Sequence, residues 1–334
     1  MNEQFGGGSS TTFRTSLSDI GAAVGTYVNR NHLAGMLAMA LPIGLGLLAS
    51  RVGRSREGMR YQSRSLVKRL ASAISQPSRF NQGMLFGAVC IALLLGIVFS
   101  RSRSGITLAM LGIFLSALFY GFKLGGSRAT KLAVLLTVGG LALALQIGFA
   151  PVLERFSVEG ALEDARWAIY GSSLAAVAVF FPFGSGLGSF PEVYRRFQPD
   201  EIRQFVNHAH NDYLEYLFEG GLIAAVVIVL FLVLYLRAWP RLVRRPRWST
   251  LSFMQAGAGL GLLLMALHGL TEYNWHIPAN AIYFALMAAV FFHRGEPEAE
   301  PGAAAPKAKP GPQPEYVPPP VPVARPPVSN PFAD

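Results

Sequence analysis

The chain is expected to fold as an all-α polytopic membrane protein, with about seven transmembrane helices and one large extracytoplasmic helical loop. Three observations carry that expectation. Of 334 residues, 51% are hydrophobic and 14% charged, where a soluble domain carries about 25% charged residues. The apolar residues are gathered into blocks of roughly 20, the length that crosses a bilayer core. The formal charge of +10, which alone could signal nucleic acid, sorts by loop in the way cytoplasmic loops do.

Asn31–Ser50 lies between Arg30 and Arg51, and Phe80–Ser100 ends at Arg101. Ser104–Phe122 lies between Arg103 and Lys123, and Leu132–Leu153 between Lys131 and Glu154. Leu214–Leu236 is apolar apart from Glu215 and Glu219 in its first turns. Ser249–Leu270 follows a basic segment, and Ile277–Phe292 is short but uncharged. Pro42 and the many glycines are tolerated in such helices. Trp167–Phe181 is apolar but too short to span comfortably. Were it a span, every later loop would reverse, so it is expected as an interfacial or buried helix inside the external loop.

Alternate loops carry the basic residues. Residues 51–79 hold Arg51, Arg54, Arg56, Arg60, Arg64, Lys68, Arg69 and Arg79 against Glu57, and 123–131 and 237–247 hold only bases. The opposite loops, 101–103, 154–213 and 271–276, are slightly acidic in sum. Positive charge prefers the cytoplasm, so the amino terminus is expected outside and the carboxyl terminus inside. The expected organisation is an external segment 1–30, four helices in 31–153, an external loop 154–213, three helices in 214–293 and a tail 294–334. That tail holds 13 of the 22 prolines and is expected to be disordered and cytoplasmic. Residues 1–30 show no charged stretch followed by an apolar one, so no signal peptide is expected. One cysteine, Cys90, lies in an apolar run, which excludes a disulfide framework and a cysteine-based zinc site.

Candidate chemistry gathers at the outer side. Asp212 and Glu215 fit a capping-box-like helix start, placing His210 just ahead of a membrane helix, where it can exchange protons near neutral pH or serve as a capped interfacial residue. His208 and His210 form an H-x-H pair near Asp212 that could bind a metal, but no further ligand has diagnostic spacing and no metal is expected. His32, His208, His210, His268 and His276 all fall on the outer side, and His268 and Glu272 are spaced to share a helix face. Arg101 and Arg103, in the tight Ser100–Gly105 hairpin, lie on the side where positive charge is disfavoured. Either they offer a donor fork to phosphate or they snorkel to headgroups; Arg166 beside Trp167 poses the same choice. Arg195, Arg196 and Arg203 are expected to be solvated. Pro182–Phe190, rich in glycine, could present N–H groups of Gly186 and Gly188 to an anion or simply form a tight turn.

Together these pieces resemble, in order, the O-antigen ligase and O-antigen polymerase family of bacterial envelope proteins, over about residues 21–292. Gly25-Thr26-Tyr27-Val28-Asn29-Arg30-Asn31-His32-Leu33-Ala34 is similar to the start of a span in that family, and Ser100-Arg101-Ser102-Arg103-Ser104-Gly105 to its hairpin. Arg166-Trp167 with Pro182–Phe190 resembles its loop helix and glycine turn. His208-Ala209-His210-Asn211-Asp212-Tyr213-Leu214 is the most specific piece, and Leu270–Ala281 is also family-like. The ligase pattern continues, nine residues after His210-Asn211, with glycine and a Gly, Thr or Tyr three further on; here Gly221 matches and Ala224 departs. The family has several spans ahead of the Asn29-x-Asn31 segment, so this chain is expected to lack the first spans.

The resemblance implies a cofactor-free, metal-independent glycosyltransferase in the bacterial inner (plasma) membrane, with its site facing the periplasm in loop 154–213. It would move a glycan from undecaprenyl pyrophosphate to lipid A–core or a similar acceptor; a polysaccharide polymerase or a protein O-oligosaccharyltransferase would use the same machinery. His210, Arg103 and Arg166 would be catalytic, and Arg101, His208, Asn211, Gly186, Gly188 and His276 would bind substrate. Implied partners are the lipid-linked donor, the acceptor and membrane lipids, with no nucleic acid. A transporter or an inactive truncated scaffold is the alternative of another class. A transporter would place ionisable residues mid-membrane and show internal repeats, whereas here they cluster at one surface.

Overall fold

The computed structural model describes residues 23–59, 77–124, 166–246 and 248–294. Within them the regular structure is helical: α1 Arg30–Met59, α2 Pro77–Ser100, α3 Arg103–Leu124, α4 Arg166–Phe180, α5 Phe190–Val193 with a 3-10 turn at Tyr194–Arg196, α6 Asp212–Val243, α7 Thr250–His268 and α8 Pro278–Phe292. Five stretches are long and apolar enough to cross a bilayer: Arg30–Arg51, Asn81–Ser100, Arg103–Leu124, Asp212–Val243 and Thr250–His268. The protein is a polytopic helical membrane protein. The expected span Leu132–Leu153 lies outside the described residues, as do residues 1–22, most of the basic loops 51–79 and 123–131, and the tail from 295.

Helix ends depart from the apolar blocks in instructive ways. α1 continues to Met59 and α6 to Val243, carrying each helix into its basic flank. A helix need not stop where the hydrocarbon does, and Pro240 sits so close to the end of α6 that it terminates rather than kinks it. α8 opens on Pro278, whose missing N–H is no loss in a first turn. α7 stops at His268, with Gly269 as its C-cap, so Glu272 does not lie on the helix as expected. Asp212 captures the chain there: its N–H donates to Gly269 O at 2.8 Å and its carboxylate accepts from Asn274 N and Trp275 N. Glu272 N still donates to His268 O at 3.0 Å, which keeps the two residues close.

α7 is the most buried span and packs along α1. Small residues let the backbones approach. A Cβ at Gly261 would stand 2.3 Å from Met39 O, and one at Gly257 would stand 2.6 Å from Pro42 O. α2 and α3 flank α1. Ile169 and Ala176 of α4, Phe190 and Tyr194 of the α5 turn, Val206, Ala209 and Phe218 at the start of α6 form a separate small core.

α6 is broken at Gly221, where φ is 52° and ψ −133°. Across the break Ser185 N donates to Phe218 O (2.9 Å), Gly186 N to Glu219 O (2.9 Å), and Leu222 N to Pro182 O (2.8 Å). The glycine turn therefore replaces the hydrogen bonds that a continuous helix would have made. Both partners must be glycine. A Cβ at Gly221 would lie 2.2 Å from Pro182 O, and one at Gly184 2.2 Å from Glu219 O.

The chain alternates direction, so two ends of the bundle differ in chemistry. One end joins the start of α1, the end of α2 and the starts of α3 and α8, through Ala23 N to Phe99 O (2.8 Å), Tyr27 Oη to Asn280 Oδ1 (2.8 Å), Asn280 Nδ2 to His32 O (3.2 Å) and Ser104 Oγ with His268 Nε2 (3.1 Å). The other end is basic: Lys123 Nζ donates to Val243 O, and Arg245 donates to Gln255 Oε1 at 2.7 Å. His32, His208, His210, His268 and His276 fall at the first end and His293 at the second, the grouping the sequence implied.

Candidate active site

The site forms where three segments meet: the approach to α6, the loop after α7 and the first turn of α4. Asn211 is the N-cap of α6, its side chain accepting from Leu214 N at 3.1 Å. The cap thus falls one residue earlier than the capping-box reading placed it. That shift frees both acids. Asp212 turns to the 274–276 loop, and Glu215 turns back to the chain before the helix, accepting from Ala209 N at 2.8 Å. Asn211, a candidate substrate ligand, is thereby occupied in holding the helix start. His210 sits just before it at φ 52°, with its carbonyl accepting from Tyr170 Oη of α4 at 2.9 Å.

Glu272 is the hub. Its carboxylate is 1% exposed. Oε1 accepts from Asn31 Nδ2 (2.6 Å) and Arg166 (3.1 Å), and Oε2 stands 3.4 Å from His210 Nδ1. A carboxylate only accepts, so a neutral His210 facing it places its proton on Nδ1 and its lone pair on Nε2. Burial alone would raise the Glu272 pKa. The hydrogen bond from His210, the charge that His210 and His268 carry when protonated, and the Arg166 guanidinium outweigh it and hold the group down to about 2. An ionised carboxylate ties the two functional candidates together, and both His210 and Arg166 remain about one-third exposed.

A second network lies across Tyr273. His208 Nδ1 donates to Glu215 Oε1 at 2.7 Å, and His276 Nδ1 donates to Asp212 Oδ1 at 3.0 Å with its Nε2 3.4 Å from Glu215 Oε1. The Tyr273 ring stacks on His208 at 4.0 Å between centroids and meets His32 and His210 edge-on at 4.6 and 5.2 Å. Burial lowers the affinity of His276 for a proton. The Asp212 hydrogen bond and the charges of Glu215, Asp212 and Glu219 prevail and raise its pKa. Burial, reinforced by Glu272, raises the Tyr273 phenol.

The H-x-H reading does not survive as drawn: His208 turns to Glu215, His210 to Glu272, and Asp212 to the loop. Among the described residues the cluster with metal-ligand composition is His208, Glu215 and His276, whose ligand atoms lie within 4.8 Å. The His208–Glu215 separation of 2.7 Å is a hydrogen-bond distance. Tetrahedral ligands at ordinary zinc bond lengths stand about 3.3 Å apart, so the arrangement fits a shared proton better than a shared ion.

The remaining candidates are placed around this core. Arg103 opens α3 next to Ser104, whose Oγ contacts His268, and Arg101 is exposed in the hairpin at φ 53°. Gly186 does not offer its N–H to an anion, because that N–H is committed to Glu219 O of α6. Gly186 and Gly188 are glycine for their positive φ of 108° and 73°, and a Cβ on either would meet nothing. Glu272, Glu215, Asp212 and Tyr273 were missed as site residues. For Glu272 a signal existed: it is the sole acid between Glu219 and Glu296, and it lies in the histidine-bearing segment 268–276.

A helical membrane protein with a histidine, an arginine and a buried carboxylate converging at one end of its bundle is thus defined. Residues 88–229 match the family model described as O-antigen ligase. The matched stretch contains Arg101, Arg103, Arg166, His208 and His210, while Glu272 and His276 lie beyond it. No curated protein and no solved structure matches the chain.

Proposed function

We propose that the protein is an O-antigen ligase-like glycosyltransferase, acting on the periplasmic side of the inner membrane. It moves a glycan from undecaprenyl pyrophosphate to a hydroxyl of lipid A–core or a similar acceptor. The observation that carries this reading is the single Glu272 carboxylate gripping both His210 and Arg166. His210, with Nδ1–H directed to Glu272, presents Nε2 as the base that takes the proton of the acceptor hydroxyl. The hydroxyl oxygen bonds to the anomeric carbon as the bond from that carbon to the phosphate oxygen breaks, and the pyrophosphate leaves on its lipid. Arg166, partly exposed, and Arg103 at the start of α3 neutralise the developing charge. Arg101 and His208 contact substrate at the rim, and His276 holds the loop that carries Glu272.

The test uses the full chain in liposomes with a fluorescent lipid-linked glycan and a panel of acceptors. His210→Ala is expected to lower transfer by about 10²–10⁴-fold, the usual range for a lost general base, while the protein inserts normally. Arg166→Ala should also lower it, and a chelator should leave it unchanged. Undiminished transfer by His210→Ala would overturn the role of His210, and loss with chelator would restore the metal reading.

A further inference from the structure

We infer that the turn Phe181–Leu187 is a membrane wedge, seated among the acyl chains of the leaflet on the site's side and packed against the Gly221 break. Its partner is bilayer phospholipid. The whole stretch from Trp167 to Pro191 contains no charged residue and no histidine. At the tip, Phe183 is 84% and Leu187 81% exposed, with Phe181 also exposed. An apolar cluster so open to the surroundings is a marker of an interaction surface.

Its place along α6 identifies the surroundings. From Asp212 to Gly221 no residue of α6 is exposed, whereas Leu222, Ile223, Val226, Val227, Val229 and Leu230 are. The switch to an outward-facing apolar surface occurs at the residue on which the turn packs. The length agrees: the charge-free part beyond the break, residues 222–236, extends only about 22 Å at helical rise, so the ~30 Å hydrocarbon core reaches back past Gly221 to the level of the turn. The wedge therefore lies within the outer part of that core, continuous with the lipid-facing side of α6.

Irregular backbone is tolerated at that depth only when its polar groups are satisfied by protein. The hydrogen bonds from Ser185 N and Gly186 N to α6 carbonyls, and from Leu222 N to Pro182 O, meet that need without water. The Glu219 carboxylate, buried at the same level, accepts from Phe190 N at 2.9 Å. This placement does not depend on the transferase reading.

The experiment places benzoyl-phenylalanine singly at Phe183, Leu187, Val227 and Glu201 of the full chain in liposomes of phosphatidylethanolamine and phosphatidylglycerol. After irradiation, adducts are weighed by mass spectrometry. Phe183 and Leu187 are expected to give phospholipid adducts in yields comparable to Val227, and Glu201 none. Adducts at Val227 but not at Phe183 or Leu187 would overturn the proposal. So would crosslinks from Phe183 or Leu187 to another segment of the chain or to a second copy, which would make the turn a protein interface. Benzoyl-phenylalanine replaces an exposed aromatic at Phe183, so that variant retains the buried packing.

Discussion

Residues 212–220 and 222–236 of α6 are consecutive stretches of one element, separated only by Gly221, and they obey opposite rules. The first carries Asp212, Glu215 and Glu219, all buried and all hydrogen-bonded. The second carries no charge and turns large apolar side chains outward. In water, burial follows apolar character. Here buried acids lie beside exposed leucines and valines because the two stretches meet different surroundings. The acids hold a polar site together, and the apolar residues face a solvent as apolar as themselves. The break at Gly221 lets one helix serve both.

The largest effect is expected from removing the break. Gly221→Ala forces a non-glycine residue into φ 52° with ψ −133° and drives its Cβ to 2.2 Å from Pro182 O. A loss of about 4 kcal/mol or more is expected, at the top of the range for single substitutions, seen as a collapse of the unfolding midpoint in detergent. Next come paired substitutions on the two sides of the break. Asp212→Ala strands the N–H groups of Asn274, Trp275 and His276 and should cost about 3 kcal/mol, since each buried orphan costs about 1–3. Val227→Ala on the lipid side should shift the same midpoint by no more than about 0.5 kcal/mol, because lipid replaces the lost contact. Equal shifts would erase the distinction.

A pH dependence gives a further test. Glu272 is held at about 2, below the ~4.3 of a free glutamate. Its ionised form therefore stabilises the fold above that higher value, and the contribution is lost as pH falls through about 4 towards about 2. Acid unfolding of the wild type should show this loss, and Glu272→Gln should lack it. An identical acid profile in the variant would place the titration elsewhere.

Much of this was legible in the sequence, for local reasons. Runs such as Ser104–Phe122, bounded by charge, announce helices because hydrocarbon demands length and excludes charge. His210 and Arg166 stand out in the sequence because such side chains are rare beside apolar blocks, and the structure brings both to one carboxylate. What stayed hidden depends on distant pairing. Asn31, Arg166 and His210 find Glu272 across sequence separations of 241, 106 and 62 residues, which no local spacing encodes. The Asp212–Glu215 pattern suggested a cap because caps are local, yet Asn211 took that role and left both acids for tertiary partners. The glycine turn was readable as a turn. That Gly186 would satisfy a broken helix required knowing that α6 breaks.

Cys90 is buried against α1, close enough that a Cβ on Gly44 would stand 2.9 Å from its sulfur, and it is the only cysteine in the chain. The native protein is thus close to a blank background for thiol labelling. A cysteine introduced at an exposed position such as Arg101 or Arg237 becomes the readily reached thiol without any prior substitution, and a membrane-impermeant maleimide reports directly which end of the bundle faces out of the cell.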